Sequence, residues 1–203
     1  EFNCIKIKIG AIDFNEELRL LAQLRNRYDA KTITIRVDAN GAFAPEDALN
    51  KLDQLNAYEI DSIEQPIAIN QWEHMSILCK KSPIPIALDE ELIGVFDPEI
   101  QSELLTQIEP QYLIFKPSLL GGFSNTQKWI DLAKKHNIAW WITSALESNV
   151  GLNAIAQWTY SKKPFMPQGL GTGSLFLNNI DSPLVIKKGC LWNDNAIPWR
   201  EIF

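Results

Sequence analysis

Short runs of aliphatic and β-branched residues alternate with longer amphipathic runs through almost the whole of this chain. "CIKIKI" (4–9), "TITIRVD" (32–38), "EIDSIE" (59–64), "IPIALD" (84–89), "YLIFK" (112–116) and "IAWWITS" (138–144) read as strands. The segments 14–28, 44–55, 70–81, 97–107, 123–137 and 148–161 read as helices. In "APEDALNKLDQL" a proline and two acidic residues mark a helix start. A seventh short strand is expected near 166–170, and a two-stranded tail over 183–193. Strands that alternate with helices in this way demand right-handed βαβ connections and a parallel sheet. Such a sheet either stays open and doubly wound or closes into a β/α barrel, and a full barrel needs eight strands.

The strand ends decide between the two. Successive strands finish in Asp38, Glu64, Asp89 and Lys116, with gaps of 26, 25 and 27 residues. In a barrel the carboxyl ends of the strands converge on one face, where catalytic groups collect. In an open sheet they would lie along a line. The expected fold class is therefore α/β, a (β/α) barrel, with seven strands in this chain. Taken singly, each acid could instead cap the following helix or turn its loop. A cap has no need of the neighbours in "IEQP" and "LDEEL".

Three carboxylates in one mouth repel one another unless a cation lies between them. All the donors are oxygens, with no histidine or cysteine beside them, which suits Mg²⁺ at about 2.0–2.1 Å. Lys6 and Lys8 share a strand face with Cys4, opposite Ile5, Ile7 and Ile9. Those two lysines could simply snorkel to water. Placed with Lys116 across a metal site, they become candidates for proton transfer, because neighbouring cations lower a lysine pKa. Such a constellation suits removal of a proton next to a carboxylate, with the metal holding the enediolate that forms.

Composition narrows the field further. The 203 residues suffice for one domain with a substantial core. A net charge of −6 with no basic stripe argues against nucleic acid or an anionic membrane. No apolar run approaches the ~20 residues of a membrane span, and lysines interrupt the first apolar stretch, unlike a secretory leader. Cys4, Cys79 and Cys190 are odd in number and widely spaced, which makes a reducing cytoplasm the expected compartment.

The motifs together resemble the enolase superfamily, and within it the muconate-lactonizing subgroup. The residues that carry the resemblance are "IKIKIG", "VDANGAF", "IEQP", "LDEEL" and "FKPSLLGG", in the order found there. "ITSALESNVGLNAIAQW" (142–158) and "QGLGTGSLF" (168–176) look like the seventh- and eighth-strand segments of the o-succinylbenzoate synthase family. The resemblance implies a Mg²⁺-dependent lyase of menaquinone biosynthesis. It would dehydrate 2-succinyl-6-hydroxy-2,4-cyclohexadiene-1-carboxylate to o-succinylbenzoate. By that analogy Asp38, Glu64 and Asp89 bind Mg²⁺, Lys8 takes the α-proton, and Lys116 stabilises the enediolate. Lys6 assists Lys8, and Asn40 supports Lys8 or the metal. Backbone groups around Ser144 and Gly171 hold the succinyl carboxylate. Glu147 is catalytic by phase or pairs with a neighbouring cation, and is counted as supporting.

The resemblance also implies that residues 1–182 supply strands 2 to 8 of a barrel. A capping domain and the first βα unit would precede them. Residues 183–203 form a tail whose short strands pack on that capping domain. Dipeptide epimerases of the subgroup carry an Asp-x-Asp on the eighth strand, where this chain has "GLGTG" (169–173). N-succinylamino acid racemisation needs no such acids and stays open. A degenerate barrel with a scaffold role is the non-enzymatic alternative. "GLGTG" alone is a weak phosphate-loop signal. His74 and His136 fall in expected helices, where packing or surface roles are the default. Trp140 and Trp141 are expected on opposite faces of their strand. The partner expected is a small carboxylate substrate; self-assembly stays open.

Overall fold

A computed structural model describes residues 2–173 and 175–200. Six parallel strands form one sheet, each hydrogen-bonded to the next in chain order: β1 (Cys4–Lys8), β2 (Thr34–Asp38), β3 (Ser62–Glu64), β4 (Ile86–Leu88), β5 (Tyr112–Phe115) and β6 (Ala139–Ile142). Helices α1 (Phe14–Arg27), α2 (Pro45–Asn56), α3 (Trp72–Lys81), α4 (Pro98–Ile108) and α5 (Gly122–Lys135) connect them, and α6 (Asn149–Ser161) follows β6. The register sets Lys8 beside Asp38 and Asp38 beside Glu64.

The sheet curls. Strands β2 and β6 are four positions apart, which in a flat sheet would separate them by about 19 Å. Yet the Arg36 guanidinium of β2 stacks 4.0 Å over the Trp141 ring of β6. It also donates to the carbonyl of Pro167 at 3.3 Å. The result is a partial barrel whose two faces divide the chain's chemistry. The outer face carries Ile35, Val37, Ile63, Ile86, Leu88, Leu113, Phe115 and Ile142, all buried against Leu21, Leu52, Met75, Leu104 and Trp129 of the helices. The inner face has only a small apolar patch of Ala87, Ile114 and Trp141, flanked by Tyr112 and Met166. Trp140 packs outward against Phe115, so the two tryptophans do divide between the faces.

The helix starts follow local rules. Asp13 caps α1 through the N–H groups of Asn15 and Glu16, and Ser148 caps α6 through Gly151. Pro45 and Pro98 open α2 and α4. Helix α3 begins two residues later than the sequence pattern suggests. Asn70 is left-handed (φ 64°), which takes it out of the helix, and its N–H goes to Glu91.

The strand expected at 166–170 is reduced to a single parallel bridge between Thr143 and Gly169. Pro167 has no N–H to offer a ladder. The Gln168 side chain, not a main-chain carbonyl, accepts the N–H of Ile142 at 2.7 Å. The tail is two-stranded as expected, with β7 (Leu184–Lys187) antiparallel to β8 (Cys190–Asn193). Lys188 and Gly189 both have positive φ (52° and 73°), the requirement of a tight I′ hairpin turn. Among the described residues no helix is long and apolar enough to cross a membrane.

One buried acid secures the loop that leaves β1. Glu17 accepts the N–H groups of Gly10, Ala11 and Ile12 at 2.6, 3.2 and 3.4 Å. Glu17→Ala is expected to lose about 1–3 kcal/mol of stability, because those donors become unpaired. Glu16→Ala, which removes only an exposed pair with Arg19, is expected to stay within about 0.5 kcal/mol of the parent. Urea denaturation midpoints measure both.

Candidate active site

The inner face becomes charged towards the carboxyl ends of the strands. Asp38 ends β2, Glu64 ends β3, and Asp89 directly follows β4; each is at most 2% exposed. Alternation along β1 turns Lys6 and Lys8 to the same side. Lys6 Nζ donates to Asp38 Oδ2 at 2.7 Å and to Glu64 Oε2 at 2.8 Å. Lys8 Nζ donates to Asp38 Oδ2 and to Asn40 Oδ1, both at 2.6 Å. From the other wall, Lys116 pairs with Asp89 and lies 3.9 Å from Glu64 Oε1. The three carboxylates and three lysines expected of the site therefore belong to one ion network.

The network is unevenly compensated. Burial and then Asp38 and Asp89 push the Glu64 carboxyl up to about 9, against the pull of Lys6. Glu64 Oε1 is buried and has no hydrogen-bond partner. Asp38 is held below its ordinary value, because Lys6 and Lys8 outweigh its burial. Burial opposes the charge on Lys6, but Glu64 and Asp38 more than offset it, and its pKa is raised. The lowered value expected of a lysine among cations does not arise while its neighbours are anions.

An orphaned carboxylate oxygen between two further acids is where a hard divalent cation fits. The candidate donors are Asp38, Glu64 and Asp89, with no soft ligand among them. Among the described residues no three acidic groups already surround one point; in this arrangement the lysine ammoniums carry the compensating charge instead.

The remaining expected residues lie around this centre in different ways. Asn40 bridges Lys8 to Glu90, donating to Glu90 Oε1 at 2.6 Å. Ser144 is buried and shares a 2.5 Å hydrogen bond with Thr172. Gly171 lines a cavity of about 930 Å³ together with Lys6, Arg36, Trp141 and Thr143. Glu147 accepts from Ser118 Oγ at 2.7 Å and from the Ala145 N–H at 3.0 Å, which ties two loops together. His74 is exposed and His136 ends α5, both away from the carboxylates.

Arg36 escaped the sequence reading. It is 6% exposed on the inner face, paired with Asp61 at 3.2 Å, and lines the same cavity. Its position two residues before Asp38 on a strand was the available signal.

Residues 1–196 match the Enolase C-terminal domain-like family, and the chain belongs to that family. It is 54% identical over 190 residues to the o-succinylbenzoate synthase of Desulfotalea psychrophila, covering 94% of this chain and 51% of that protein. The L-amino acid-D/L-Glu epimerase of Francisella philomiragia is 29% identical over 163 residues, 79% of this chain and 44% of the epimerase. The crystal structure of MenC from Desulfotalea psychrophila superposes with a TM-score of 0.89 at 53% identity, over 93% of this chain and 52% of that one. Muconate lactonizing enzyme from Pseudomonas putida shares the fold, with a TM-score of 0.84 at 21% identity over 94% of this chain and 52% of that one. The chain thus spans about half the length of the curated relatives it matches.

The raised Glu64 value has a consequence for the metal-free protein. The folded state holds this proton more tightly than the unfolded state, where the carboxyl titrates near 4.5. Its contribution to stability is full below that value and is lost as pH rises towards 9. In chelator, thermal melts at pH 5 and pH 9 should show a smaller loss for Glu64→Gln than for the parent. An equal loss would assign the pH dependence to other groups.

Proposed function

We propose that this chain is the catalytic barrel segment of an o-succinylbenzoate synthase. It would dehydrate 2-succinyl-6-hydroxy-2,4-cyclohexadiene-1-carboxylate, a step of menaquinone biosynthesis. The observation that carries the reading is the arrangement of three buried carboxylates between lysines on opposite walls. The 54% identity to a protein of that name supports the choice of substrate.

Asp38, Glu64 and Asp89 would hold Mg²⁺. The bound ion would supply the positive charge that stabilises an enediolate formed from a substrate carboxylate. Lys8 would be the base. Its ammonium side chain is 59% exposed, against 34% for Lys6 and 16% for Lys116, so it is the lysine most open to a ligand. As the neutral amine, Lys8 would accept the α-proton, and the C–H electron pair would become part of the new ring double bond. The C–O bond would then break, and the same proton would leave with the hydroxide as water. Asn40 would steer Lys8 through its 2.6 Å hydrogen bond. Lys116, anchored by Asp89, would remain a cation on the far side and stabilise the developing charge. Lys6 would keep Asp38 and Glu64 compensated, and Ser144 and Gly171 would receive the succinyl carboxylate.

The tail fits a covered position. Ile186, Trp192, Ile197 and Trp199 expose large apolar surface, which would suit packing against a capping domain.

Two experiments on the full-length protein test the proposal. Given the cyclohexadiene, N-succinylamino acids and dipeptides side by side, it should turn over the cyclohexadiene. Turnover of dipeptides alone would assign it to the epimerases instead. Lys8→Ala should lower kcat by about 10²–10⁴-fold while Mg²⁺ binding persists, and unchanged turnover would remove Lys8 from the base role.

A further inference from the structure

The residue after Glu64 is a glutamine under heavy constraint. Gln65 is fully buried, and its φ of 40° lies in the left-handed region that residues other than glycine and asparagine rarely adopt. Both ends of its amide are engaged. Its Oε1 accepts the N–H groups of Asp89 and Glu91, each at 3.3 Å. Its Nε2 donates to the carbonyl of Ile67 and to Glu91 Oε2, each at 3.1 Å. The main chain continues the pattern. The Gln65 N–H donates to Ala87 at 2.9 Å, and its carbonyl accepts from Gly41 at 2.7 Å.

One residue directly after β3 thereby joins two neighbours: its side chain holds the Asp89 and Glu91 peptides after β4, and its main-chain carbonyl holds Gly41, three residues after Asp38. Glu91 anchors the far side of the junction, accepting from the Asn70 N–H and from Trp72 Nε1, both at 2.8 Å. Asp89 itself has an irregular backbone (φ −127°, ψ −78°) at the start of the 3-10 turn Glu90–Leu92. The hydrogen bond to Gln65 fixes the peptide from which its carboxylate departs.

The chemistry asks for this side chain. Only a side-chain amide offers an acceptor oxygen and two N–H donors from one planar group. Glutamate would set a second carboxylate against Glu91. Asparagine tolerates the left-handed backbone but is one methylene short. A buried polar residue in a disfavoured conformation persists only where its surroundings over-determine it, and here those surroundings are the three ligand-bearing segments.

We propose that Gln65 is the positioning residue whose side chain sets the place of Asp89 against Glu64, and through that spacing the cation affinity of the site. This rests on the metal reading above. Mn²⁺ titrations of the full-length protein, followed by electron paramagnetic resonance, test it. Gln65→Met and Gln65→Asn should each weaken Mn²⁺ by about 10-fold or more, with kcat falling as well when Mg²⁺ is saturating. Gln65→Asn carries the test where Gln65→Met does not fold. A folded variant with parental Mn²⁺ affinity would overturn the proposal, whatever its melting temperature. A parent that binds no Mn²⁺ would overturn the metal reading instead. The role of Gln65 is then read from amide hydrogen exchange at Asp89 and Glu91, which Gln65→Asn should speed about 10-fold; unchanged exchange would overturn the proposal there too.

Discussion

The structure depends on how it compensates three carboxylates taken out of water together. Asp38, Glu64 and Asp89 are almost wholly buried in the mouth of a curled sheet. Burying a charge without a partner is costly enough that a group neutralises instead. Lys6 and Lys8 meet that demand from β1, and Lys116 meets it from the end of β5. Glu64, in the middle, is left with one unpartnered oxygen and an upward-shifted carboxyl. Such imbalance is a poor way to stabilise a protein and a good way to hold a divalent cation.

The fold serves that arrangement through its two faces. The aliphatic outer face fixes the sheet against the helices, so the strands are rigid carriers. The inner face is then free to be polar, with little apolar packing beyond Ala87, Ile114 and Trp141. Loops that must place an acid accurately are braced by other buried polar groups. Glu17 gathers the N–H groups after β1, and Glu91 gathers donors from α3 and its approach. Charged groups near the mouth thus divide into those that can face a ligand and those that hold the first set in place.

Much of this was legible in the sequence because it is periodic. The alternation in "CIKIKI" and "TITIRVD" assigns each residue to a face without further information. The recurrence of charged residues at strand ends then follows from the length of one βα unit. What could not be read depends on contacts between distant segments. Nothing local in "IEQP" says that Gln65 will reach Asp89 and Glu91. Nothing near Arg36 announces the carbonyl of Pro167, 131 residues away. The missing strand at 166–170 turned on a detail of the same kind, the side chain of Gln168 taking the place of a main-chain acceptor. The late start of α3 likewise reflects the left-handed backbone of Asn70, whose N–H is held by Glu91.

The central claim is that the three carboxylates form one cation site. A crystal structure of the full-length protein grown with Mg²⁺ tests it most directly. The expected result is a single ion with an oxygen from each of Asp38, Glu64 and Asp89 at about 2.0–2.1 Å. Density for the three carboxylates paired only with lysines, with no ion between them at saturating Mg²⁺, would contradict it.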